Sequence, residues 1–324
     1  MTVHWDELAE PDQAGRRNGT VGPERPALSL RGVVKHYGPI TAVDGIDLDV
    51  PAGSCLGLLG PNGAGKSTTM RMITGQTRAD AGGIEVLGYD VPREAKHARA
   101  LMGVVPQLDN LDEELTSREN LEVFARLYRV PRAERSAAVA RALKIGLLTE
   151  RADTRTINLS GGMRRRLLIA RGLVHRPRFV LLDEPTVGLD PQVRQELWAL
   201  IDGLRAEGVT VLMSTHYIEE AERLADSVAV MSHGRIVVHG PPAELLTAHA
   251  GQEAIEYYGP PGRLLEVEDV ATRAGLPTRR TGPAVSVLRA EDMPVRVSEA
   301  LGAGARRASN LEDVFVILTG ESVA

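Results

Sequence analysis

The sequence predicts an α/β protein built on a mainly parallel sheet. Three observations carry that reading. A short apolar run, residues 56–59, leads through Gly60-Pro61-Asn62-Gly63-Ala64-Gly65-Lys66-Ser67 into residues of helical character up to 73. Phe179-Val180-Leu181-Leu182 is apolar at every position, as in a strand covered on both faces, and it runs directly into Asp183-Glu184. Strand-length apolar runs then alternate with stretches of helical period along much of the chain.

The elements follow in order. The 324 residues admit one large domain or two. Residues 1–26 are rich in Gly, Pro and charge and are expected to form a flexible tail. Leu28-Ser29-Leu30 and Val33-Val34 read as strand, with a turn at Tyr37-Gly38-Pro39; residues 46–50 alternate apolar and polar, as a half-buried antiparallel strand does. A short strand is expected at 82–88, a helix at 93–101, and a strand at 102–105 that ends in Pro106-Gln107. Residues 117–157 read as mostly helical. Leu121, Phe124, Ala125 and Tyr128 share one face, and Pro131 is expected to open a second helix running to about Ile145. Met163, Leu167, Ala170 and Val174 form a third apolar face; Val193, Leu197, Leu200, Ile201 and Leu204 mark a long amphipathic helix. Strands at 209–213 and 227–231 flank a helix at 218–225.

Beyond about Ala248 a small α/β appendage is expected. It has strands at 255–258 and 285–288 and a short helix carrying Leu264, Val267, Val270 and Ala274. Pro294 opens a helix toward Leu301, and Asn310 caps a last helix that Gly320 stops. The expected division is therefore 1–26, 27–247 and 248–324. An appendage of about 75 residues is small for independent folding, so it should pack on the main domain or on its counterpart in a dimer.

Hydrophobic residues are 43% of the chain and aromatics 3%, so Leu, Val, Ile and Ala must fill the core. The net charge of −5 argues against a nucleic-acid binder that works by bulk charge, and no nucleic-acid partner is expected. The single cysteine, Cys55, cannot form an internal disulfide, and its place before the glycine-rich loop reads as a small core residue. No apolar run reaches the length of about 18 residues that a membrane span needs. Asp6, Glu7 and Glu10 stand where a signal peptide would be basic and then apolar. The expectation is a cytosolic chain, held at a membrane, if it works there, by another chain.

Residues 60–67 fit G-x-x-x-x-G-K-[ST]. Three glycines let the backbone curl until successive N–H groups point inward, and the following helix adds its positive end, which together cradle phosphates. Lys66 would reach the β- and γ-phosphates, and the Ser67 hydroxyl would hold Mg²⁺. Asp183 lies at the carboxyl end of a strand, where ligands of open α/β sheets bind, and would hold Mg²⁺ mostly through water. Glu184 would polarise the attacking water. Ser160-Gly161-Gly162 opens a helix and either offers free N–H groups to an anion or serves as a plain cap. The basic run Arg164, Arg165 and Arg166 reads as a solvated helix face in preference to the alternative, a lipid or partner contact.

These marks, in this order, resemble the nucleotide-binding subunit of ATP-binding cassette (ABC) transporters over residues 27–247. The resemblance implies a P-loop NTPase fold with an antiparallel β subdomain, a helical subdomain at about 108–157 and the C-terminal appendage, with ATP and Mg²⁺ as cofactors. It implies that Tyr37 stacks on adenine and that residues 60–67 with Thr68 hold the phosphates. Glu184, His216 and Gln107 take the catalytic roles: His216 contacts the γ-phosphate, and Gln107 touches the metal and the water and senses the membrane partner. Ser67, Gln107 and Asp183 serve the metal. Ser160, Gly161 and Gly162 match the signature that binds the ATP of a second subunit, and Asp190 in Gly188-Leu189-Asp190 lies in the loop that crosses to it. Met163 stands where the family has Gln. The implied assembly is a homodimer or a pairing with a similar cassette. The signature helix and His216 speak against a kinase or GTPase built on the same loop.

Residues 104–112, 115–121, 160–171 and 310–315 are similar, more narrowly, to export ATPases of the nodulation-factor and daunorubicin-resistance type. That implies a separate permease of the ABC-2 class, docked on the helical residues 108–157 at the inner face of the membrane. It also implies export of a hydrophobic drug, lipid or lipo-oligosaccharide. The alternative is a soluble ABC ATPase outside transport. Such proteins usually carry two cassettes or a long coiled coil, and neither pattern occurs in this sequence.

Overall fold

The computed structural model describes residues 25–320; the tail expected over residues 1–26 lies, through residue 24, outside them. The described residues fold as two compact units, one of residues 25–56 and 67–214, the other of residues 57–66 and 215–320.

In the first unit, β1 (Leu28–Tyr37) and β2 (Ile40–Val50) form an antiparallel hairpin closed by the Tyr37–Ile40 pair, with Gly38 at φ +57° in the turn. The strand β3 (Cys55–Leu59) starts here, buried at every position, and α1 (Lys66–Ile73) follows the loop. β4 (Ala81–Val86) pairs with the free side of β1, and β5 (Tyr89–Val91) with β4, giving an antiparallel sheet of order β2-β1-β4-β5. Then come α2 (Ala95–Ala100) and β6 (Met102–Val105). The helical region holds α3 (Ser117–Leu127), α4 (Arg135–Ile145) and α5 (Gly161–Leu173). β7 (Phe179–Asp183), α6 (Pro191–Ala206) and β8 (Thr210–Thr215) complete the unit. β6, β7 and β8 are parallel neighbours, with Val105 opposite Leu182 and Asp183 opposite Ser214. β7 is thus paired on both edges, and Phe179–Leu182 are buried at every position, as the unbroken apolar run requires.

α3 starts with a capping box. Thr116 Oγ1 accepts from Glu119 N at 3.2 Å, and Glu119 Oε2 accepts from Thr116 N at 2.8 Å. The buried Asn120 amide donates to Asp112 O at 2.9 Å and to Thr156 Oγ1 at 3.0 Å, which fastens the flanking loops to the helix. Two sequence expectations are corrected here. α4 starts at Arg135, not at Pro131, because Glu134 N donates to Pro131 O at 2.9 Å and residues 131–134 form a turn. The basic run 164–166 is no solvated face. It is half-buried, since α5 turns it toward acceptors: Arg164 pairs with Asp109 at 2.6 Å and Glu113 at 2.7 Å, and Arg166 with Glu196 at 2.8 Å.

In the second unit, the remainder of β3 lies beside β9 (Ser227–Ser232), with β10 (Arg235–Gly240) outermost; α7 (Ile218–Leu224) precedes β9, and α8 (Pro242–Leu245) follows β10. Next are β11 (Glu253–Tyr258), α9 (Pro261–Arg273), β12 (Thr278–Thr281), β13 (Ala284–Leu288), α10 (Val295–Leu301), β14 (Ala305–Ala308) and α11 (Leu311–Thr319). The four strands form an antiparallel sheet of order β12-β13-β11-β14. Ile255, Tyr257, Leu264, Val267, Val287 and Leu301 fill the core between this sheet and α9 and α10. α11 leaves that layer: Leu311, Val314 and Phe315 share a second core with Leu59, Ala221 and Val230. Asn310 and Asp313 cap α11 reciprocally, and Gly320 ends it in the left-handed conformation. Asp313, 0% exposed, also accepts from Arg307 at 2.7 and 2.8 Å and from Arg279 at 2.9 Å. Burial works to raise this carboxyl's pKa, but the two guanidiniums outweigh it and hold the group below the usual carboxylate range. Among the described residues no helix is long and apolar enough to cross a membrane.

Candidate functional site

Parallel pairing explains the grouping in the first unit. β6, β7 and β8 end nearly level, so residues just beyond their carboxyl ends converge. Gln107 lies two residues past β6 and Glu184 one past β7, and Gln107 Nε2 donates to Glu184 Oε2 at 2.8 Å. Ser67 Oγ, in the first turn of α1, donates to Asp183 Oδ1 at 3.4 Å. Ser67, Gln107 and Asp183 also border a cavity of about 210 Å³.

Glu184 is 6% exposed and sits at φ +46°. A side chain in that left-handed region costs about 1–2 kcal/mol, so neighbours must hold it. The holding group is Ser214, opposite Asp183 at the end of β8. Glu184 N donates to Ser214 Oγ at 3.0 Å and to Ser214 O at 3.1 Å, while Ser214 Oγ donates to Asp183 Oδ1 at 2.5 Å. Ser214 is a site residue that the sequence reading missed. The available signal was the hydroxyl that follows the apolar Val211-Leu212-Met213, two residues before His216.

The remaining expected residues of this unit stand apart from that group. Tyr37, at the end of β1, is 45% exposed, and Lys35 Nζ lies 5.4 Å from its ring centroid, leaving an aromatic face of the kind on which a base stacks. Thr68 follows Ser67 in α1 and is half-buried. Ser160 is the N-cap of α5 and accepts from Met163 N at 3.3 Å; Ser160 and Gly161 are exposed. A Cβ on Gly162 would lie 3.0 Å from Val193, so this turn of α5 approaches α6 closely. Asp190 caps α6 by accepting from Val193 N at 3.0 Å and is exposed.

In the second unit the loop Gly60, Pro61, Asn62, Gly63, Ala64, Gly65 and Lys66 is compact. Gly63 and Gly65 sit at φ +84° and +106°, where only glycine is comfortable. A Cβ on Gly60 would lie 2.3 Å from Met231 O, so β9 fixes the loop's entry. Lys66 is 4% exposed and its Nζ donates to Gly60 O at 2.6 Å and Pro61 O at 3.0 Å. The ammonium is folded onto the carbonyls of its own loop. His216 is half-buried beside the Tyr217 ring, 4.3 Å between centroids, and Tyr217 N donates to Thr215 Oγ1 at 2.9 Å in the turn that follows β8.

A glycine-rich loop that ends in a buried lysine and, in the other unit, a strand-end carboxylate pair are each marks of a nucleoside triphosphatase. Comparison with known proteins makes the class specific. Residues 43–187 match the family model described as ABC transporter. The chain is 43% identical over 299 residues to the Nod factor export ATP-binding protein I of Burkholderia lata, covering 91% of this chain and 98% of that protein. It is 44% identical over 300 residues to the protein of the same name from Rhizobium meliloti, covering 92% and 89%. The solved dimeric structure of an ATP-binding cassette in a post-hydrolysis state, bound to ADP and Pi, is similar at TM-score 0.61 and 28% identity, covering 66% of this chain and 98% of that one. The chain belongs to the ATP-binding proteins of the ABC transporter family. It is an ATP-binding P-loop NTPase of that fold and an ATP hydrolase, as the resemblance implied.

Proposed function

We propose that this chain is the ATP-hydrolysing subunit of an exporter and works as one of two cassettes paired on a separate permease of the ABC-2 class. The observation that carries the reading is the Gln107–Glu184 contact beside Asp183 and Ser67, in a chain 43–44% identical to export ATP-binding proteins along nearly its whole length.

In this reading the amides of residues 60–66 and the Lys66 ammonium bind the phosphates, with Lys66 exchanging its two carbonyl partners for phosphate oxygens. Ser67 and Asp183 would hold Mg²⁺ with Gln107 beside it. The donor set fits, because a hydroxyl and a carboxylate already meet at 3.4 Å and magnesium takes hard oxygen ligands, keeping waters and phosphates for its other positions. When bound, the ion neutralises charge on the phosphates. Glu184 takes a proton from the attacking water, whose oxygen bonds to the γ-phosphorus as the bridging bond between that phosphorus and the β-phosphate oxygen breaks, and ADP and phosphate leave. Gln107 orients the Glu184 carboxylate, Tyr37 stacks on the base, Thr68 adds to the phosphate contacts, and His216 supports the γ-phosphate. Ser160, Gly161 and Gly162 serve the ATP of the second cassette, and Asp190 crosses to it. The helical residues 108–157 dock the permease, which keeps the chain at the cytoplasmic face of the membrane. The cargo belongs to the class of hydrophobic drugs, lipids or lipo-oligosaccharides.

Affinity purification of the full chain from detergent-solubilised native membranes, with mass spectrometry of co-purifying proteins, tests this. A polytopic permease is the expected partner. Recovery only from the soluble fraction, with ribosomal or DNA-bound partners, would favour a soluble ABC ATPase outside transport.

A further inference from the structure

Arg165 is not needed for any step above, yet its guanidinium donates to the backbone around the hydrolytic residues. Its Nε donates to Pro185 O at 2.7 Å. Nη1 donates to Pro106 O at 2.8 Å and to Gln107 O at 3.2 Å. Nη2 donates to Asp183 O at 3.1 Å and to Glu184 O at 3.0 Å. Its neighbours on α5 make ordinary ion pairs with carboxylates. The acceptors of Arg165 named here are instead main-chain carbonyls of two strand ends.

The physical reason is local. At the ends of β6 and β7 the ladder runs out, and the carbonyls of residues 106–107 and 183–185 are open to further donors. A planar guanidinium with a rigid fork of N–H groups can serve several at once, and a lysine cannot. One side chain of the helix that Ser160 caps therefore grips the backbone of both Gln107 and Glu184 from behind. In front, the two side chains meet at 2.8 Å.

We propose that Arg165 is a positioning residue for hydrolysis: it fixes the Gln107 backbone against that of Glu184 and ties both to α5, so that movement of the signature helix is felt at the hydrolytic carboxylate. The inference rests on the reading of Glu184 as general base. Misplacing a reacting group by about 1 Å can cost ~100-fold in rate. Lysine at this position keeps the charge but loses the fork.

The test uses the full chain with Mg-ATP and compares R165K, Q107A, the double variant and E184Q for kcat, KM, ATP affinity and melting temperature. R165K is expected to lose about 10–100-fold in kcat, with KM and ATP affinity within about 3-fold of wild type. On the Q107A background R165K should cost less than about 3-fold more, because both act through one pair. If R165K does not fold, R165Q is read in the same way. Wild-type kcat in R165K with E184Q inactive would overturn the inference alone, as would full additivity with Q107A or a loss of kcat matched by an equal loss of ATP affinity. Full turnover by E184Q would instead remove the reading beneath it.

Discussion

Replacing Ser214 by Ala removes one hydroxyl that does two jobs. It donates to Asp183 Oδ1 at 2.5 Å and accepts from Glu184 N at 3.0 Å, holding Glu184 in its left-handed conformation. The first bond involves an ionised partner, and such bonds contribute about 1.5–3 kcal/mol. The second loss is smaller, because Glu184 N keeps the Ser214 carbonyl at 3.1 Å. Only the part of this stabilisation that grows toward the transition state lowers kcat. If half of the first bond's contribution does, the barrier rises by about 0.8–1.5 kcal/mol and kcat falls roughly 4–12-fold. Phosphate release at saturating Mg-ATP measures kcat, and displacement of a fluorescent ATP analogue measures binding. S214T keeps a hydroxyl on a strand that favours β-branched residues and should retain most of the activity. Wild-type kcat in S214A, or an equal loss in S214T, would refute the assignment of Ser214 as the group that holds the carboxylates.

Two further outcomes concern stability. D313N leaves Arg279 and Arg307 facing a neutral amide inside the C-terminal layer. It should cost about 3 kcal/mol, toward the low end for a broken buried pair because Arg307 keeps Glu256 and Arg279 keeps Glu312. Since the folded-state pKa of Asp313 is depressed, its contribution is present above the ordinary carboxylate value and is lost as pH falls through the lower folded value. An unchanged melting temperature in D313N would contradict this. His175 is stacked on Tyr128 at 3.8 Å between ring centroids and donates from Nε2 to Met102 O at 3.0 Å. Burial lowers its pKa from 6.5 to about 4. Between those values the unfolded chain binds a proton that the folded chain refuses. Stability is therefore complete above about pH 6.5 and falls by about 2–3 kcal/mol as pH drops toward 4. In urea unfolding at pH 7.5 and pH 5, H175F should lose less stability on acidification than wild type; an equal loss would exclude His175 as a source.

What the sequence revealed and what it hid have a common physical cause. Strands buried on both faces or half-buried with a regular period, such as β3, β6 and β7, are legible because burial dictates their side chains. The four unforeseen strands, β5, β10, β12 and β14, all lie at sheet edges. β12 reads Thr-Arg-Arg-Thr and β14 Ala-Arg-Arg-Ala, and charge on an edge blocks further pairing while erasing the apolar signal. The loop and the Asp183-Glu184 pair were visible because their spacing is local. Ser214 and Arg165 were not, because their partners are 30 or more residues away or are backbone carbonyls, which any sequence supplies. Arg164–Arg166 looked like solvent-facing charge for the same reason.

Glu184 is proposed as the general base of an ATPase, and E184Q removes that base alone. Glutamine keeps the shape and can still accept the Gln107 hydrogen bond through its amide oxygen, but it cannot take a proton. With purified full chain and Mg-ATP, steady-state phosphate release should fall by about 100–10,000-fold while ATP affinity stays within a few-fold of wild type. Wild-type turnover by E184Q would exclude Glu184 as the base.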